Sequence, residues 1–229
     1  MVNFFAWFTG GLIAYLMGSI PFGFLLAKTH GQDIRMLGSG NIGATNVFRT
    51  ISKPLGILTF ILDLLKGVCG ITLVPPLTAL LTGHAFTSPY FPIFCGALTV
   101  CGHNWTCFLK FKGGKGVATS AGILIGLAPA GVAWGFTVWL ITFITTRYVS
   151  VASIIAAITL AIIVWPLYLA EQGWALPGAL TCLAALSIFK HRSNIARLLA
   201  GTESRFTFIK KATAPQEFAS AEPTQGTPK

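Results

Sequence analysis

The fold is decided by residues 117–146, which read VATSAGILIGLAPAGVAWGFTVWLITFITT. This apolar run is longer than the roughly 20 residues that one helix needs to cross a bilayer. It is interrupted by Pro129, whose backbone cannot donate a hydrogen bond to a preceding turn. The run is therefore either one long tilted helix or two shorter helices that meet at Pro129.

The distribution of positive charge distinguishes these alternatives. If residues 117–146 form a hairpin, all 16 Lys and Arg residues except Lys66 and Lys229 share one side of the membrane. If they form a single crossing, Arg147 and the basic C-terminal segment fall on the opposite side. Cytoplasmic loops carry the excess of Lys and Arg, so the hairpin is favoured. We predict an all-α, polytopic membrane helix bundle of about seven transmembrane helices, with the N-terminus outside and the C-terminus in the cytoplasm.

The rest of the sequence fits an integral membrane protein. Of the 229 residues, 54% are apolar and only 10% are charged, whereas a soluble domain carries about 25% charged residues. The other apolar blocks lie at about 4–27, 54–81, 90–109, 151–170 and 174–189. We predict a single membrane-embedded domain over residues 1–211 and a disordered tail over 212–229, rich in Ala, Pro, Thr and Gln.

The net charge of +10 comes from short clusters beside the apolar blocks. A protein that binds nucleic acid would instead carry its positive charge along one long face, so no nucleic-acid partner is expected. The clusters favour orientation in the membrane together with contacts to lipid and to phosphate. The pattern specifies no oligomeric state.

Three segments on the predicted cytoplasmic side carry the chemistry: residues 38–49, 102–119 and 190–203. Each combines glycines with a fixed cation and with amide or hydroxyl groups. Glycine lets backbone N–H groups approach an anion, and a neighbouring Lys or Arg supplies charge. The alternative for any single segment is that glycines end helices and cations set the topology. Together, the three segments predict a site for more than one phosphate.

Other kinds of site fit the sequence poorly. The glycines at 38, 40 and 43 match a dinucleotide-binding pattern, but no strand precedes them. The three segments contain almost no carboxylates, so we expect no metal and no cofactor. None of the four histidines begins the H-x-x-x-x-D pattern that coenzyme-A-dependent glycerolipid acyltransferases use.

Asp63 and Lys66 are charged residues inside the second apolar block, three positions apart. One helix face can hold both, and charges in a membrane span normally face a bundle interior or a cavity. Either they neutralise each other structurally, or Lys66 helps to line a phosphate site.

The motifs resemble those of the bacterial acyl-phosphate:glycerol-3-phosphate acyltransferases, integral membrane enzymes that begin phospholipid synthesis. The matching stretches are SGNIGATN (39–46) with Arg49, Gly102 with His103, FKGGKGVAT (111–119), HRSNIAR (191–197), Gly201 and Glu203. The likeness extends over about residues 5–210. It implies transfer of a fatty acyl group from acyl phosphate to the 1-hydroxyl of glycerol 3-phosphate, at the cytoplasmic face of a bacterial inner membrane. The products would be 1-acylglycerol 3-phosphate, which is lysophosphatidic acid, and inorganic phosphate.

The resemblance also implies the site residues. Expected catalytic residues are His191, Asn194 and Ser39. Expected substrate-binding residues are Arg49, Asn41, Asn46, Lys112, Gly113, Gly114, Lys115, Gly116, Ser150, Arg192 and Glu203, with Ser153 as the alternative to Ser150. The amides of residues 113–116 would cradle the acyl phosphate. The proton acceptor is either His191, kept neutral by the adjacent Lys190 and Arg192, or the second substrate's own phosphate.

Two other functions compete with this hypothesis. A transporter or channel for an organic phosphate would suit broken helices and intramembrane charge. However, the outer connections offer no cation to receive an anion. The second rival is an acyltransferase that uses an acyl thioester as donor.

Overall fold

Every regular element in the described part of the chain is a helix. The computed structural model describes residues 4–84, 86 and 88–206; the predicted tail over 212–229 lies outside this range. The longer helices are α1 (Phe4–Ser19), α2 (Phe22–Lys28), α3 (Ala44–Thr50), α4 (Lys53–Thr72), α5 (Val74–Thr82), α6 (Tyr90–Asn104), α7 (Val117–Leu127), α8 (Pro129–Thr146), α9 (Val149–Gln172), α10 (Ala175–Lys190) and α11 (Arg192–Leu199). Two 3-10 helices cover Ile34–Met36 and Cys107–Leu109.

Four helical segments are long and apolar enough to cross a membrane. They are Phe4–Lys28, Lys53–Thr72, Pro129–Thr146 and Val149–Gln172, and α7 and α10 are shorter apolar helices. Large apolar side chains on α8, such as Phe136 and Ile144, are about 60% exposed. A face of this kind is stable against lipid tails rather than against water. The number of crossings and their direction stay predictions.

The break predicted at Pro129 is present. Helix α7 ends at Leu127, Ala128 leaves the helical conformation with φ −149°, and Pro129 begins α8. The two halves also pack on different neighbours, α7 along α4 and α8 along α9. Residues 117–146 are therefore two helices and not one straight crossing.

Glycines let the helices approach closely enough to fix the end of α6. A Cβ atom at Gly18 of α1 would overlap the carbonyl oxygen of Thr99 in α6, and one at Gly102 would overlap that of Tyr15. Such contacts between backbones are typical of helix packing in membranes. Threonine Thr106, just after α6, also donates a 2.6 Å hydrogen bond to the carbonyl oxygen of Ser19. The C-terminal end of α6 is thus held in place beside the loop that follows it.

Asp63 and Lys66 form a buried ion pair inside the bundle. The Lys66 Nζ lies 2.8 Å from Asp63 Oδ1, and each side chain is 3% exposed. Lys66 also donates to the carbonyl oxygen of Ile20, where the chain breaks between α1 and α2. Lys66 is absent from the lining of the polar cavity described below, so its contacts favour the structural alternative.

Candidate active site

The segment before α3 is shaped by the side chain of Asn46. Its Oδ1 accepts from the backbone N–H of Ser39 at 3.1 Å, and its Nδ2 donates to the carbonyl oxygens of Leu37 and Asn41 at 3.0 and 2.9 Å. Gly40 adopts φ +69°, a conformation that favours glycine. Asn46 is 6% exposed, and its amide is committed to the loop. These bonds present Ser39 and Asn41 at the surface of a cavity.

The glycine-rich loop over residues 112–116 rests on the end of α6. Gly114 donates its backbone N–H to the carbonyl oxygen of His103 at 3.0 Å, and a Cβ at Gly114 would overlap the His103 ring. The expectation that the amides of 113–116 all face an anion is therefore wrong for Gly114. Among the residues that the structure describes, the N–H groups of Gly113, Lys115 and Gly116 donate to no protein acceptor.

Gly116 precedes the first residue of α7 with φ +78°, and no side chain caps that helix. The unsatisfied N–H groups at a helix N-terminus favour a bound anion. The loop thus brings free amides and the side chains of Lys112 and Lys115 to one place.

Glu203 organises the third segment. Its Oε1 accepts from the hydroxyl of Ser150 and from Nδ2 of Asn194, both at 2.7 Å, and its Oε2 accepts from Nε of Arg197 at 2.7 Å. Asn194 in turn accepts a hydrogen bond from the ammonium of Lys115. Because Nδ2 is engaged by the carboxylate, Asn194 must turn its oxygen towards Lys115.

His191, between α10 and α11, is held in one tautomer. Its Nδ1 lies 2.8 Å from the carbonyl oxygen of Ser187, which can only accept, so Nδ1 carries the proton. Burial, and then the charge of Lys115, lower the pKa of His191 to about 4. The imidazole is therefore neutral at pH 7, with the lone pair on Nε2.

The pKa of Lys115 is also shifted. Burial is the largest cause, and together with the cations of Arg197, Arg49 and Lys190 it lowers the pKa of Lys115 to about 8, while the charge of Glu203 opposes the shift. A lysine surrounded by other cations gains most from a bound anion.

These elements enclose a polar cavity of about 380 Å³. Its lining comes from all three segments and from Arg35, which precedes the first of them: Arg35, Ser39, Gly40, Asn41, Ile42, Lys112, Gly113, Lys115, Ser193 and Arg197. The chemistry of this lining is that of an anion site, since it offers four cations, hydroxyl groups and free amides.

The family model for glycerol-3-phosphate acyltransferases matches residues 8–201. The chain belongs to the glycerol-3-phosphate acyltransferase family. It is 45% identical over 200 residues to the glycerol-3-phosphate acyltransferase of Trichlorobacter lovleyi. The aligned residues cover 87% of this chain and 96% of that relative.

Two crystal structures of an integral membrane glycerol 3-phosphate acyltransferase resemble the fold. The glycerol 3-phosphate form has a TM-score of 0.76 at 39% identity, covering 88% of this chain and 96% of that chain. The lysophosphatidic acid form has a TM-score of 0.73 at 39% identity, covering 88% and 95%. The resemblance found in the sequence is thereby confirmed at the level of the family. The prediction of an integral membrane protein is confirmed as well.

The predicted site residues divide into those at the cavity and those apart from it. Ser39, Asn41, Lys112, Gly113 and Lys115 line the cavity. Asn194, Ser150, Glu203 and His191 form the buried polar layer connected to Lys115 by the hydrogen bonds and charges given above.

Two other predicted residues, Arg49 and Arg192, lie to one side. Arg49 donates to the carbonyl oxygen of Ser204 at 3.0 Å. Its charge nevertheless contributes to lowering the pKa of Lys115. Arg192 stacks on Phe189, with its guanidinium carbon 4.7 Å from the ring centre. Neither arginine is part of the cavity lining.

Ser150 and Ser153, the two alternatives predicted from the sequence, have different hydrogen-bond partners. Ser150 donates to Glu203, whereas Ser153 accepts a 3.2 Å hydrogen bond from the indole of Trp139 in α8. Ser150 is therefore the serine that joins the polar layer.

Sequence reasoning missed Arg35, Ser193 and Arg197 as cavity residues. For Ser193 and Arg197 the signal was available, because residues four apart share a face of a helix. Arg35 gave no such signal, since its place depends on the turn that leads to Ser39.

Proposed function

We propose that this protein transfers a fatty acyl group from acyl phosphate to the 1-hydroxyl of glycerol 3-phosphate. The observation that carries this proposal is a cation-lined cavity beside a separate apolar pocket. The products are lysophosphatidic acid and inorganic phosphate, and the reaction belongs to phospholipid synthesis. The solved relative has a glycerol 3-phosphate form and a lysophosphatidic acid form, which supports both the acceptor and the product.

The phosphates bind in the polar cavity. Lys112 and Lys115 supply charge, and the free amides of Gly113, Lys115 and Gly116 supply hydrogen bonds at the N-terminus of α7. Arg49 lies near enough to attract the phosphate of glycerol 3-phosphate. Asn46 shapes the loop that carries Ser39 and does not itself contact substrate.

The acyl chain occupies the apolar pocket. This pocket has a volume of about 350 Å³ and is lined by Ile20, Pro21, Phe24, Leu25, Phe108 and Leu109. Leu109 and Phe24 pack in one hydrophobic cluster with Ile42, which lines the polar cavity. An amphiphilic substrate can therefore keep its chain in apolar surroundings while its phosphate meets the cations.

The reaction needs no acyl-enzyme. The hydroxyl oxygen of glycerol 3-phosphate attacks the acyl carbonyl carbon and forms the ester bond. The bond from that carbon to the phosphate oxygen breaks, and its electron pair leaves with inorganic phosphate. The enzyme aligns two anions and stabilises their charge, which is the work of Lys112, Lys115 and the loop amides.

The hydroxyl proton passes either to Nε2 of His191 or to a substrate phosphate. A pKa of about 4 makes His191 a weak base in the empty site. Binding of two anions beside Lys115 offsets its charge, which is the second cause of this shift after burial, so the pKa of His191 rises when substrates bind. The phosphate of glycerol 3-phosphate, with a second pKa of about 6, is the competing acceptor of the proton.

We place the site at the cytoplasmic face of a bacterial inner membrane, in a bundle of about seven crossings. The support is that the cavity gathers Arg35, Lys112, Lys115 and Arg197, all on the side that the positive-inside rule assigns to the cytoplasm.

Donor identity is tested with purified protein in neutral-lipid bilayers. Acyl phosphate and glycerol 3-phosphate together should yield inorganic phosphate and lysophosphatidic acid in equal amounts, with no effect of a chelator. Acyl coenzyme A should act at most as an inhibitor. Sustained turnover with acyl coenzyme A alone, or activity abolished by the chelator, would refute the donor assignment, and uptake of glycerol 3-phosphate into vesicles would favour the transporter.

The site is tested by Lys115→Gln with Lys53→Gln as its matched control. Lys53 is an exposed cation at the first residue of α4, outside the cavity lining. Loss of a charge-assisted contact at Lys115 should lower kcat/KM roughly 10- to 100-fold, whereas Lys53→Gln should change it by less than about twofold. Equal losses in the two variants would mean that only the general positive charge matters.

A further inference from the structure

Arg35 lies at the boundary between the two pockets. It lines the polar cavity, and its guanidinium carbon is 4.8 Å from the ring centre of Phe24, which lines the apolar pocket. The cation–π contact between Arg35 and Phe24 therefore joins the lining of the polar cavity to that of the apolar pocket. An amphiphile that fills both pockets has its polar head next to this arginine.

Asp33 fixes the orientation of Arg35. Its Oδ1 accepts from the backbone N–H and from Nε of Arg35, at 3.1 and 2.9 Å, and its Oδ2 accepts from Nη2 at 2.6 Å. A paired arginine of this kind loses little further side-chain freedom when it binds a ligand.

Although Arg35 is paired with Asp33, it can still bind an anion. Lys28 Nζ lies 3.7 Å from Asp33 Oδ2, so the cluster of Lys28, Asp33 and Arg35 carries one net positive charge. Nη1 of Arg35 donates to no acceptor within the described ranges, 4–84, 86 and 88–206. The Arg35 side chain is 46% exposed, which leaves that nitrogen open to a ligand.

We propose that Arg35 is a specificity residue that binds the phosphate of a chain-bearing ligand and discriminates it from free glycerol 3-phosphate. The inference rests on the proposed function, in which acyl phosphate carries its chain directly on the phosphate and lysophosphatidic acid carries both groups on one glycerol. With its chain in the pocket of Phe24, such a ligand must place its head beside Arg35. Glycerol 3-phosphate has no chain to bring it there and is held by the cations deeper in the cavity.

The first measurement is the dissociation constant of lysophosphatidic acid and of glycerol 3-phosphate for the full chain. Arg35→Gln should weaken lysophosphatidic acid roughly tenfold or more and glycerol 3-phosphate by less than about twofold. Arg35→Lys, which keeps the charge but not the planar fork, should fall between wild type and Arg35→Gln. Equal weakening of both ligands would overturn the proposal, and so would an unchanged affinity for lysophosphatidic acid together with an unchanged KM for acyl phosphate.

Lys28→Gln is the matched control. It removes the same unit charge from the same cluster, but Lys28 lines neither pocket. It should leave both dissociation constants within about twofold of wild type. If Lys28→Gln matched Arg35→Gln, the effect would be one of general charge and the assignment to Arg35 would fail.

The source of the chain-bearing phosphate is distinguished by two further arms. A rise in KM for acyl phosphate in Arg35→Gln assigns the residue to the donor, and weaker lysophosphatidic acid binding assigns it to the product; either supports the proposal. Repeating the measurements in bilayers of phosphatidylcholine and of phosphatidylglycerol tests bulk anionic lipid. An effect confined to phosphatidylglycerol bilayers would assign Arg35 to the membrane surface and refute it.

The role of Arg35 and the identity of the donor can be refuted independently of each other. If wild-type protein fails to use acyl phosphate but Arg35→Gln still loses lysophosphatidic acid selectively, the donor assignment fails and the role of Arg35 stands. If wild-type protein uses acyl phosphate and Arg35→Gln binds every ligand normally, the role of Arg35 fails and the donor assignment stands.

Discussion

Replacing Glu203 with Gln tests whether one buried carboxylate organises the site. The Glu203 side chain is 5% exposed and accepts from Ser150, Asn194 and Arg197, each at 2.7 Å. A glutamine keeps one oxygen and gains an amide that can only donate. If its oxygen stays with Arg197, its amide faces the Nδ2 of Asn194. Asn194 must then rotate its own amide and direct an N–H towards the Lys115 ammonium.

The size of the loss follows from that mismatch. One charge-assisted hydrogen bond is worth about 1.5–3 kcal/mol, and each ~1.4 kcal/mol is a factor of ten. Arg197 is 33% exposed, so water screens part of the loss on that side. We therefore expect kcat/KM to fall roughly 10- to 100-fold in Glu203→Gln.

The pH dependence should change in a defined direction. Lys115 must be protonated to hold phosphate, and its pKa of about 8 is raised by the charge of Glu203 against the effect of burial. Removing that charge lowers the pKa of Lys115, so the alkaline limb of kcat/KM moves to lower pH. Since kcat/KM reports the free enzyme, the wild-type limb should lie near the pKa of Lys115 in the empty site.

The assay is the initial rate of phosphate release against pH at low glycerol 3-phosphate. Glu171→Gln is the matched control, because Glu171 is exposed near the end of α9 and outside the cavity lining. Its rate should stay within about twofold of wild type, as expected for an exposed site. If Glu203→Gln kept its rate and its alkaline limb, Glu203 would not organise Asn194 and Lys115.

Two further predictions concern the base and the topology. His191→Ala should lower turnover roughly a hundredfold or more if Nε2 accepts the proton, and a loss below about tenfold would transfer that role to the substrate phosphate; steady-state kcat decides this. For topology, cysteines at the exposed positions Ser39 and Ser193 should react with an impermeant thiol reagent only from the cytoplasmic side, and one at Gln172 only from outside. Reaction at Ser193 from outside would contradict the seven-crossing arrangement.

Local chemistry allowed the sequence to predict the break in the long apolar run and the convergence of three segments. Proline cannot continue the hydrogen bonding of α7, so a change of helix at Pro129 follows from one residue. The convergence follows from topology, because segments that share a side of a helix bundle can meet. Both are properties of spacing and charge, which the sequence displays directly.

The functions of individual glycines and amides could not be predicted in the same way. Gly114 and Gly116 look alike in sequence, yet Gly114 donates its N–H to His103 and Gly116 opens the N-terminus of α7. Asn46 looked like a ligand contact, but its amide holds the loop around Ser39. In each case the outcome depends on which protein acceptor lies nearby, and only the packed structure determines that.

The position of Glu203 shows why a basic site contains a carboxylate at all. Without it, Lys115 and Arg197 would only repel each other, and burial would lower the pKa of Lys115 without opposition. Glu203 reaches them because Gly201, with φ +69°, turns the chain back after α11, so that the N–H of Glu203 bonds to the carbonyl oxygen of Arg197. A left-handed residue at this point favours glycine. The carboxylate keeps the cations charged while the cavity stays positive, and in the proposed reaction that balance would let the site bind two phosphates and still release the product.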